Sequence, residues 1–333
     1  MCCDKKRHFH ICLRALIIGI REAGSIENLR NELTKVDKIS DPCFRGFRDN
    51  GVFKSNTFKS LYTLKSGGTS KTLLEPMALS AFLILISLAK NTQIFGEDFD
   101  LKQVRDLIEN EDTLFVGSLL VKLREMKRMN AHSYTYYNNE CGKLADPFEC
   151  QKILCCATGT CIAPLTSTIN HSCFPNVAKC FTVDQKIIVY AVRPIKKNYQ
   201  LFDNYYSAFY DMPKVSRQKR MKAYDFICDC VACSDDWPPM LRVTSEMKKL
   251  YGSIPMEKME SNFYKDCEKI FLSLACAKEN FDQKTLDKLC KTMSKVMKQL
   301  RQPCYTTCLL MSAIPQVFSS IYGLRPQSFG DCI

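Results

Sequence analysis

The amino-acid sequence predicts an α+β protein, and two changes of residue pattern along the chain carry that prediction. Apolar residues recur at helical spacing over about the first 130 residues, and again from residue 241 to the end. Between these regions the chain has short runs rich in β-branched and aromatic residues, which are typical of strands. We therefore expect a β-rich core flanked by helical segments.

Individual elements follow from the same patterns. Apolar residues between Leu13 and Leu29 have helical spacing, and Gly24 interrupts them so that Ser25 caps a second helix. The run Phe58–Tyr62 fits a strand or a helix. Further helices are expected at residues 72–90, 101–127, 215–224, 247–250, 263–277, 285–300 and 304–322. Strands are expected at Ser133–Tyr137, Val177–Val183 and Lys186–Val192, the last two joined as a hairpin.

Composition narrows the classes of protein. The net charge of +12 favours acidic partners, but it is spread along the chain, as on an ordinary solvated surface. The basic residues of the 215–224 helix are accordingly interpreted as a solvated face. The apolar run Met77–Ala89 is too short to span a bilayer and predicts a buried helix.

The cysteines indicate a reducing compartment. There are 20 of them, irregularly spaced, and the first residues carry no cleavable signal pattern. This differs from a secreted disulfide scaffold. We expect a few cysteines to bind metal and the others to act as small core residues.

The residues most suited to chemistry lie between Asn170 and Cys233. This stretch begins with the segment Asn170–Asn176 (NHSCFPN) and ends with Cys228–Cys233 (CDCVAC). Three cysteines at CxCxxC spacing are one thiolate short of a closed tetrahedral zinc site, and Cys173 is a plausible fourth ligand if the fold returns to it. The alternative is a nucleophile site of His171 and Cys173. Because adjacent positions in an extended chain point to opposite sides, we favour the metal ligand.

These motifs resemble those of the SET and MYND subfamily of protein lysine methyltransferases. The segment Asn170–Asn176 matches the NHSCxPN signature of SET domains, and the block Arg217–Pro238 looks like the post-SET segment of that subfamily, closest to its divergent insect members. The resemblance implies a β-rich SET core with pseudoknot-like threading, a helical insert, a zinc-bound post-SET segment and a C-terminal helical domain. It also implies S-adenosylmethionine and zinc as cofactors, and a protein substrate with a target lysine, histone or non-histone.

Family roles carry over to matching residues. Tyr205 matches the catalytic tyrosine near the methyl-transfer centre. The residues that would contact the cofactor are Asn170, His171, Phe226, Tyr224, Ser167 and Asn130. The zinc ligands would be Cys173, Cys228, Cys230 and Cys233. The implied segments are 1–50 (helical remnant after a MYND finger), 51–130 (helical SET insert), 131–210 (second half of the SET core), 211–240 (post-SET) and 241–333 (C-terminal helices).

The sequence also departs from the family pattern. No G-x-G segment that would cradle the cofactor precedes residue 53, and His8 and Cys12 match only the last ligand pair of a MYND finger. Cys161 and Ala163 stand where relatives carry a glycine and an aromatic residue. We therefore expect an N-terminally truncated member that lacks most of the finger and the first SET segment.

Two functions of different class remain open. One is a protein-lysine N-methyltransferase that depends on S-adenosylmethionine and is impaired by truncation. The alternative is a catalytically inactive, SET-derived zinc-binding scaffold or interaction module. A zinc-dependent nucleic-acid binder ranks last, because no recognition helix or aromatic platform stands out. We expect a monomer in the cytoplasm, the nucleus or both, without direct binding to nucleic acid or membrane.

Overall fold

The computed structural model describes most of the chain and confirms a mixed α+β fold. The described residues are 7–40, 45–49, 51–67, 70–137, 155–182, 184, 186–206, 208–240, 258–276 and 281–323. They divide into two compact units, one of Met1–His132 with Cys161–Thr168 and one of Ser133–Thr160 with Ile169–Ile333. The five segment boundaries expected from the sequence remain a prediction.

The first unit is helical. Its helices are α1 (Arg7–Ala23), α2 (Ile26–Asp37), α3 (Phe58–Tyr62), α4 (Lys71–Asn91), α5 (Val104–Glu109), α6 (Glu111–Asn130) and α7 (Pro164–Ser167). A two-stranded antiparallel hairpin of β1 (Arg48–Asp49) and β2 (Val52–Phe53) completes it. The core is built around α6, whose Val116, Leu120 and Leu123 are buried at helical spacing against α1 and α4.

Helix boundaries in this unit follow capping chemistry. Ser25 caps α2 as predicted, since its hydroxyl accepts the backbone N–H of Asn28 at 3.0 Å. The single helix expected over residues 101–127 was wrong, because Asn110 ends α5 and starts α6 in an extended conformation. The Asn110 side chain accepts the N–H groups of Asp112 and Thr113, each at 3.0 Å.

Helix α4 is longer and more exposed than the sequence indicated. It has 21 residues and is long and apolar enough to cross a membrane, judged by length and composition alone. Core helices of soluble proteins can meet the same two criteria. Met77, Ala81 and Leu85 are buried, and Leu85 packs so closely on Gly117 of α6 that a Cβ there would lie 2.7 Å from it. Leu79 and Leu83 are exposed, so the expectation of a buried helix was only partly right.

The second unit combines short strands with longer helices. All or most residues of six described strands belong to it: β3 (Ala131–Tyr137), β4 (Cys155–Ile162), β5 (Asn170–His171), β6 (Val177–Phe181), β7 (Ile187–Ala191) and β8 (Phe202–Asp203). The first two residues of β3 and the last two of β4 are assigned to the first unit. Its helices are α8 (Lys214–Met221), α9 (Val231–Ser234), α10 (Lys258–Cys276), α11 (Gln283–Gln299) and α12 (Tyr305–Tyr322). The predicted strand in β3 is confirmed, and β3 pairs with β4. The short helix expected at residues 247–250 lies outside the described residues.

Two further strand pairs position the central stretch. The predicted hairpin is confirmed as β6 and β7, antiparallel with Val177 opposite Ala191. Strand β5 runs parallel to β8, with Asn170 opposite Phe202, a pairing that the sequence pattern did not predict. Parallel pairing between strands of two residues is weak by itself. Side-chain contacts must therefore hold this crossing.

The C-terminal helices supply most of the apolar core of the second unit. Leu289, Met293 and Val296 of α11 are buried at helical spacing, and so are the α12 residues Leu310, Ile314 and Val317. The predicted helices at 263–277, 285–300 and 304–322 are confirmed as α10, α11 and α12. Helix α12 also packs on the hairpin, where Tyr190 stacks on Phe318 at 3.7 Å between ring centroids.

Candidate functional site

Four cysteine sulfurs come together in the second unit. The Sγ atoms of Cys173, Cys228, Cys230 and Cys233, here called the cysteine cluster, all lie within 4.8 Å of one another. Cys173 Sγ is 3.6 Å from Cys233 Sγ and 4.0 Å from Cys228 Sγ. Zinc–sulfur bonds of about 2.3 Å place the sulfurs of a tetrahedral ZnS₄ site about 3.8 Å apart. The fold returns to Cys173, and the donor set suits one tetrahedral zinc ion.

Local structure fixes the downstream cysteines. Helix α9 begins directly after Cys230, whose carbonyl accepts the N–H of Cys233 at 2.7 Å and turns both side chains toward one point. Gln218 of α8 holds the backbone of Cys228 from both sides. Its Nε2 donates to the Cys228 carbonyl at 2.6 Å, and its Oε1 accepts the Cys228 N–H at 3.0 Å.

Asn176 anchors the upstream segment. It is 0% exposed, and its Nδ2 donates to the Gln200 carbonyl at 2.8 Å while its Oδ1 accepts the Phe202 N–H at 2.8 Å. Its own N–H donates to the Phe202 carbonyl at 3.0 Å. Because one buried side chain satisfies several backbone groups, the crossing of β5 and β8 stays ordered despite its shortness.

The electrostatics of the cluster favour a thiolate. Hydrogen bonds from Cys173, Cys228 and Cys233 hold the pKa of Cys230 well below its ordinary value. Hydrogen bonding to Cys228, Cys230 and Cys233, together with burial, raises the pKa of Cys173. Four thiols, three of them buried, therefore compete for protons over one small volume. A divalent cation that binds all four as thiolates removes that competition.

His171 lies beside the cluster, contrary to the sequence argument. His171 and Cys173 are two positions apart, so an extended chain places them on the same side, and His171 Nε2 is 3.5 Å from Cys173 Sγ. Burial lowers the pKa of His171 to about 4, so the ring is neutral near pH 7. Since Nδ1 accepts the N–H of Tyr205 at 3.0 Å, the ring proton resides on Nε2 and points at the sulfur.

Three aromatic residues form a cluster with His171, and Tyr205, Tyr224 and Phe226 are here called the aromatic cluster. The ring centroid of Tyr205 lies 5.2 Å from that of His171 and 5.2 Å from that of Tyr224, and Phe226 lies 5.8 Å from His171. The Tyr205 hydroxyl donates to the Ile169 carbonyl at 2.8 Å. Burial raises the pKa of Tyr205 to about 12, so the phenol stays neutral at physiological pH. The structure thus brings four predicted site residues together next to the cysteine cluster.

The other three predicted residues have different surroundings. Asn170 precedes His171 in β5 and is exposed. Asn130 and Ser167 belong to the first unit, where the Ser167 hydroxyl donates to the Asn130 carbonyl at 3.2 Å and lies 3.1 Å from His132 Nε2. The Asn130 side chain donates to the carbonyls of Lys65 and Met126, both at 2.8 Å, so its amide protons serve the fold.

Sequence reasoning missed the residues that support the cluster. Arg217 was expected on a solvated face but is 1% exposed. Gln218 and Asn176 were treated as parts of motifs without individual roles. One signal pointed to Arg217: it is four positions before Met221, the other buried residue of α8, and so shares a face with it.

Comparison with known proteins agrees with the geometry. Residues 54–206 match the family model described as "SET domain". Histone-lysine N-methyltransferase ATXR2 of Arabidopsis thaliana is 35% identical over 85 residues, which is 24% of this chain and 17% of that protein. The matched region, a little under half of the chain, is similar to SET domains. SET domain and MYND-type zinc finger protein 6 of Schizosaccharomyces pombe is 40% identical over 81 residues, 23% of this chain and 16% of that protein.

The extent of these matches defines what they support. The aligned segments span about a sixth of the two curated relatives, as the 17% and 16% values give. The SET domain match contains Tyr205 and the segment Asn170–Asn176, and it ends before Cys228. Helices α4 to α6 lie within it. The SET and MYND subfamily and the N-terminal truncation remain predictions.

Proposed function

We propose that this chain is a protein-lysine N-methyltransferase of the SET and MYND type that uses S-adenosylmethionine and is stabilised by one zinc ion. The observation that carries the proposal is the double role of the segment from Asn170 to Cys173. His171 packs against the aromatic cluster, and Cys173, two residues on, joins the cysteine cluster. Zinc bound there would fix the position of His171, against which Tyr205 and Phe226 pack.

Tyr205 would orient the reacting groups without acting as a base. S-adenosylmethionine, when bound, would supply an electrophilic methyl group to a neutral lysine amine. The Tyr205 phenol is neutral because burial raises its pKa to about 12, and its hydroxyl is already committed to the Ile169 carbonyl. The ring of Tyr205 would therefore line the site that the lysine enters, and the apolar surroundings would favour the neutral form of that lysine.

The faces of the aromatic rings would stabilise the positive charge of the methyl donor and of the methylated product. Tyr205, Tyr224 and Phe226 lie edge to face or tilted, with Tyr205 and Phe226 centroids 6.3 Å apart. Ring faces attract positive charge, so they would hold both a sulfonium and the methylammonium product. The family resemblance assigns Phe226 to the adenine, with Asn170 and His171 as neighbouring contacts.

A binding and transfer experiment tests this function. The zinc-loaded full chain is titrated with S-adenosylmethionine by calorimetry, then incubated with labelled cofactor and recombinant histones or a pool of lysine peptides. We expect saturable binding and label on lysine. Tyr205→Phe should lower methyl transfer roughly tenfold or more while binding persists, because the ring loses the hydrogen bond to Ile169 that fixes its orientation, and alignment acts mainly on the transition state.

Tyr206→Phe is the matched control. Tyr206 is the next residue, is 59% exposed and stacks under Arg220 at 3.9 Å, away from the aromatic cluster. Loss of the Tyr206 hydroxyl should leave the rate of methyl transfer unchanged. Equal effects of the two substitutions would argue against Tyr205 as the oriented residue.

The alternative is a catalytically inactive zinc-binding scaffold. One observation favours it: the amide protons of Asn130, expected at the cofactor, are used by the carbonyls of Lys65 and Met126. The scaffold predicts bound zinc in the cysteine cluster together with no heat on addition of S-adenosylmethionine at high concentration. The same titration therefore separates the two functions.

A further inference from the structure

We propose that Arg217 is the buried counter-charge of the zinc-loaded cysteine cluster and thereby sets its metal affinity. This inference rests on the zinc part of the proposed function. Arg217 is 1% exposed, and its Nη2 lies 3.8 Å from Cys233 Sγ.

The Arg217 guanidinium has no carboxylate partner within the described residues. Its two Nη atoms reach backbone carbonyls, Nη1 that of Met212 at 2.6 Å and Nη2 that of Ala232 at 3.1 Å, while the buried Nε has no hydrogen-bond partner in the described part of the chain. Carbonyl dipoles solvate an arginine but do not neutralise it. Arginine keeps its charge in proteins, and a buried charge without a counter-ion is unfavourable.

The second step is the charge of the cluster. Four thiolates and one Zn²⁺ together carry a net charge of about −2, which follows from the ligand type. Cys173 is 0% exposed and Cys233 is 2% exposed, so much of that charge is away from water. The cation of Arg217 and the anionic cluster therefore each relieve the burial of the other.

A purely structural role is the rival explanation. Arg217 also connects α8 to α9 through the Ala232 carbonyl, and any substitution would weaken that connection. Arg193 offers a matched comparison, because its Nε donates to the Pro175 carbonyl at 2.8 Å and its Nη2 to the Phe174 carbonyl at 3.2 Å. Arg193 stacks on Phe174 at 4.3 Å and contacts no cysteine sulfur among the described residues.

The experiment measures zinc affinity in the full chain. Wild type, Arg217→Gln, Arg217→Lys and Arg193→Gln are titrated with zinc against a chromophoric chelator, and each is also unfolded in urea with zinc and after chelation. We expect Arg217→Gln to weaken zinc binding roughly 10- to 100-fold, the range seen for groups that support metal ligands. Arg217→Lys should recover most of that loss, because it keeps the charge.

The unfolding arm separates charge from tethering. A counter-charge predicts that Arg217→Gln lowers the urea midpoint of the zinc-loaded protein more than that of the metal-free protein. Arg193→Gln should lower both midpoints equally and change zinc affinity less than about threefold, since it loses only carbonyl contacts. Cobalt(II) substitution, read through its thiolate charge-transfer band, reports the same affinity order if a variant unfolds without metal.

Two results would overturn the inference itself. Arg217→Lys as weak as Arg217→Gln would assign the effect to the tether, and unchanged affinity in Arg217→Gln would remove the effect altogether. Both presuppose a wild type that binds zinc. A wild type without stoichiometric zinc would instead refute the zinc part of the proposed function, so the two failures are distinguishable.

Discussion

Two regions of the second unit are organised in different ways. The helical pair α11 and α12 consists of 17 and 18 residues whose buried side chains repeat at helical spacing. The crossing region, defined as residues 170–176, 202–209 and 228–233, pairs strands of only two residues and depends on polar and sulfur contacts. Local periodicity stabilises the first region, whereas groups distant in sequence stabilise the second. Their responses to metal and to mutation should therefore differ.

Removing zinc should have the largest effect and should fall on one region. Structural zinc contributes on the order of 10 kcal/mol to small metal domains. We expect chelation, or Cys173→Ser, to abolish hydrogen-exchange protection in the crossing region while the amides of α11 and α12 stay protected. The measurement is exchange followed by mass spectrometry on the full chain.

Cys290→Ser is the control for that comparison. Cys290 is an exposed thiol on α11, outside the cysteine cluster. Its substitution should leave protection unchanged in both regions. Simultaneous loss of protection in the crossing region and in α11 after chelation would contradict the contrast, because it would make the two regions one cooperative unit.

A core truncation in α11 should show the reverse pattern. Leu289 is 0% exposed, so Leu289→Ala removes buried methyl groups and leaves a cavity. Such changes lower the free energy of unfolding by about 2–5 kcal/mol. We expect that loss in urea unfolding, together with unchanged zinc affinity. Leu272→Ala is the control, since Leu272 is 55% exposed and should change stability little.

The same contrast explains which parts of the fold the sequence predicts. Helices α10 to α12 and the β6–β7 hairpin were predicted because periodicity and turn length are local properties. The pairing of β5 with β8 was not predicted, because Asn170 and Phe202 are distant in sequence and are brought together by tertiary contacts. Helix α4 shows the limit of local pattern, because an apolar sequence does not reveal which side is covered.

The candidate site divides along the same line. Cysteine spacing and family motifs predicted four sulfurs at one point and the aromatic residues beside them. The burial of Arg217 was not inferred, although Arg217 shares a helix face with Met221, since a basic residue on a short basic helix usually faces solvent. The inward orientation of Arg217 is explained only by the position of the cysteine cluster.

A smaller effect is expected from the amide that holds a cysteine backbone. Gln218→Ala removes both hydrogen bonds to Cys228 and leaves its buried N–H and carbonyl without that partner. Loss of such partners lowers the free energy of unfolding by about 1–3 kcal/mol. The loss should be accompanied by weaker zinc binding, in contrast to Leu289→Ala. Lys219→Ala, an exposed neighbour on α8, is the control and should change neither quantity.

The smallest effect concerns the cap of α11 and depends on pH. The Asp282 carboxylate accepts the Thr285 hydroxyl at 2.7 Å and the Thr285 N–H at 2.8 Å. The hydrogen bond from the Thr285 side chain, followed by that from its backbone, lowers the pKa of Asp282 below the ordinary 3.8. A lowered folded pKa means that this carboxylate stabilises the fold above pH 3.8 and loses its contribution as pH falls through the folded pKa. Asp282→Asn keeps a capping oxygen but removes the charge, so wild type should be slightly more stable near neutral pH and the difference should vanish in acid.

Thermal unfolding after chelation, at a series of pH values, measures that difference without a change in metal content. Asp287→Asn removes a charge from the same helix without touching the cap. It is the control for general charge effects, so the pH-dependent difference should be absent from it. A difference for Asp282→Asn that widens in acid would reverse the sign required by a lowered pKa, and the cap would then stabilise α11 through its hydrogen bonds alone. Either result leaves the crossing region unaffected, because no group of the cysteine cluster takes part in the cap. If the stability of the crossing region in the chelated protein changes in acid, groups other than Asp282 must cause that change, since no zinc is bound.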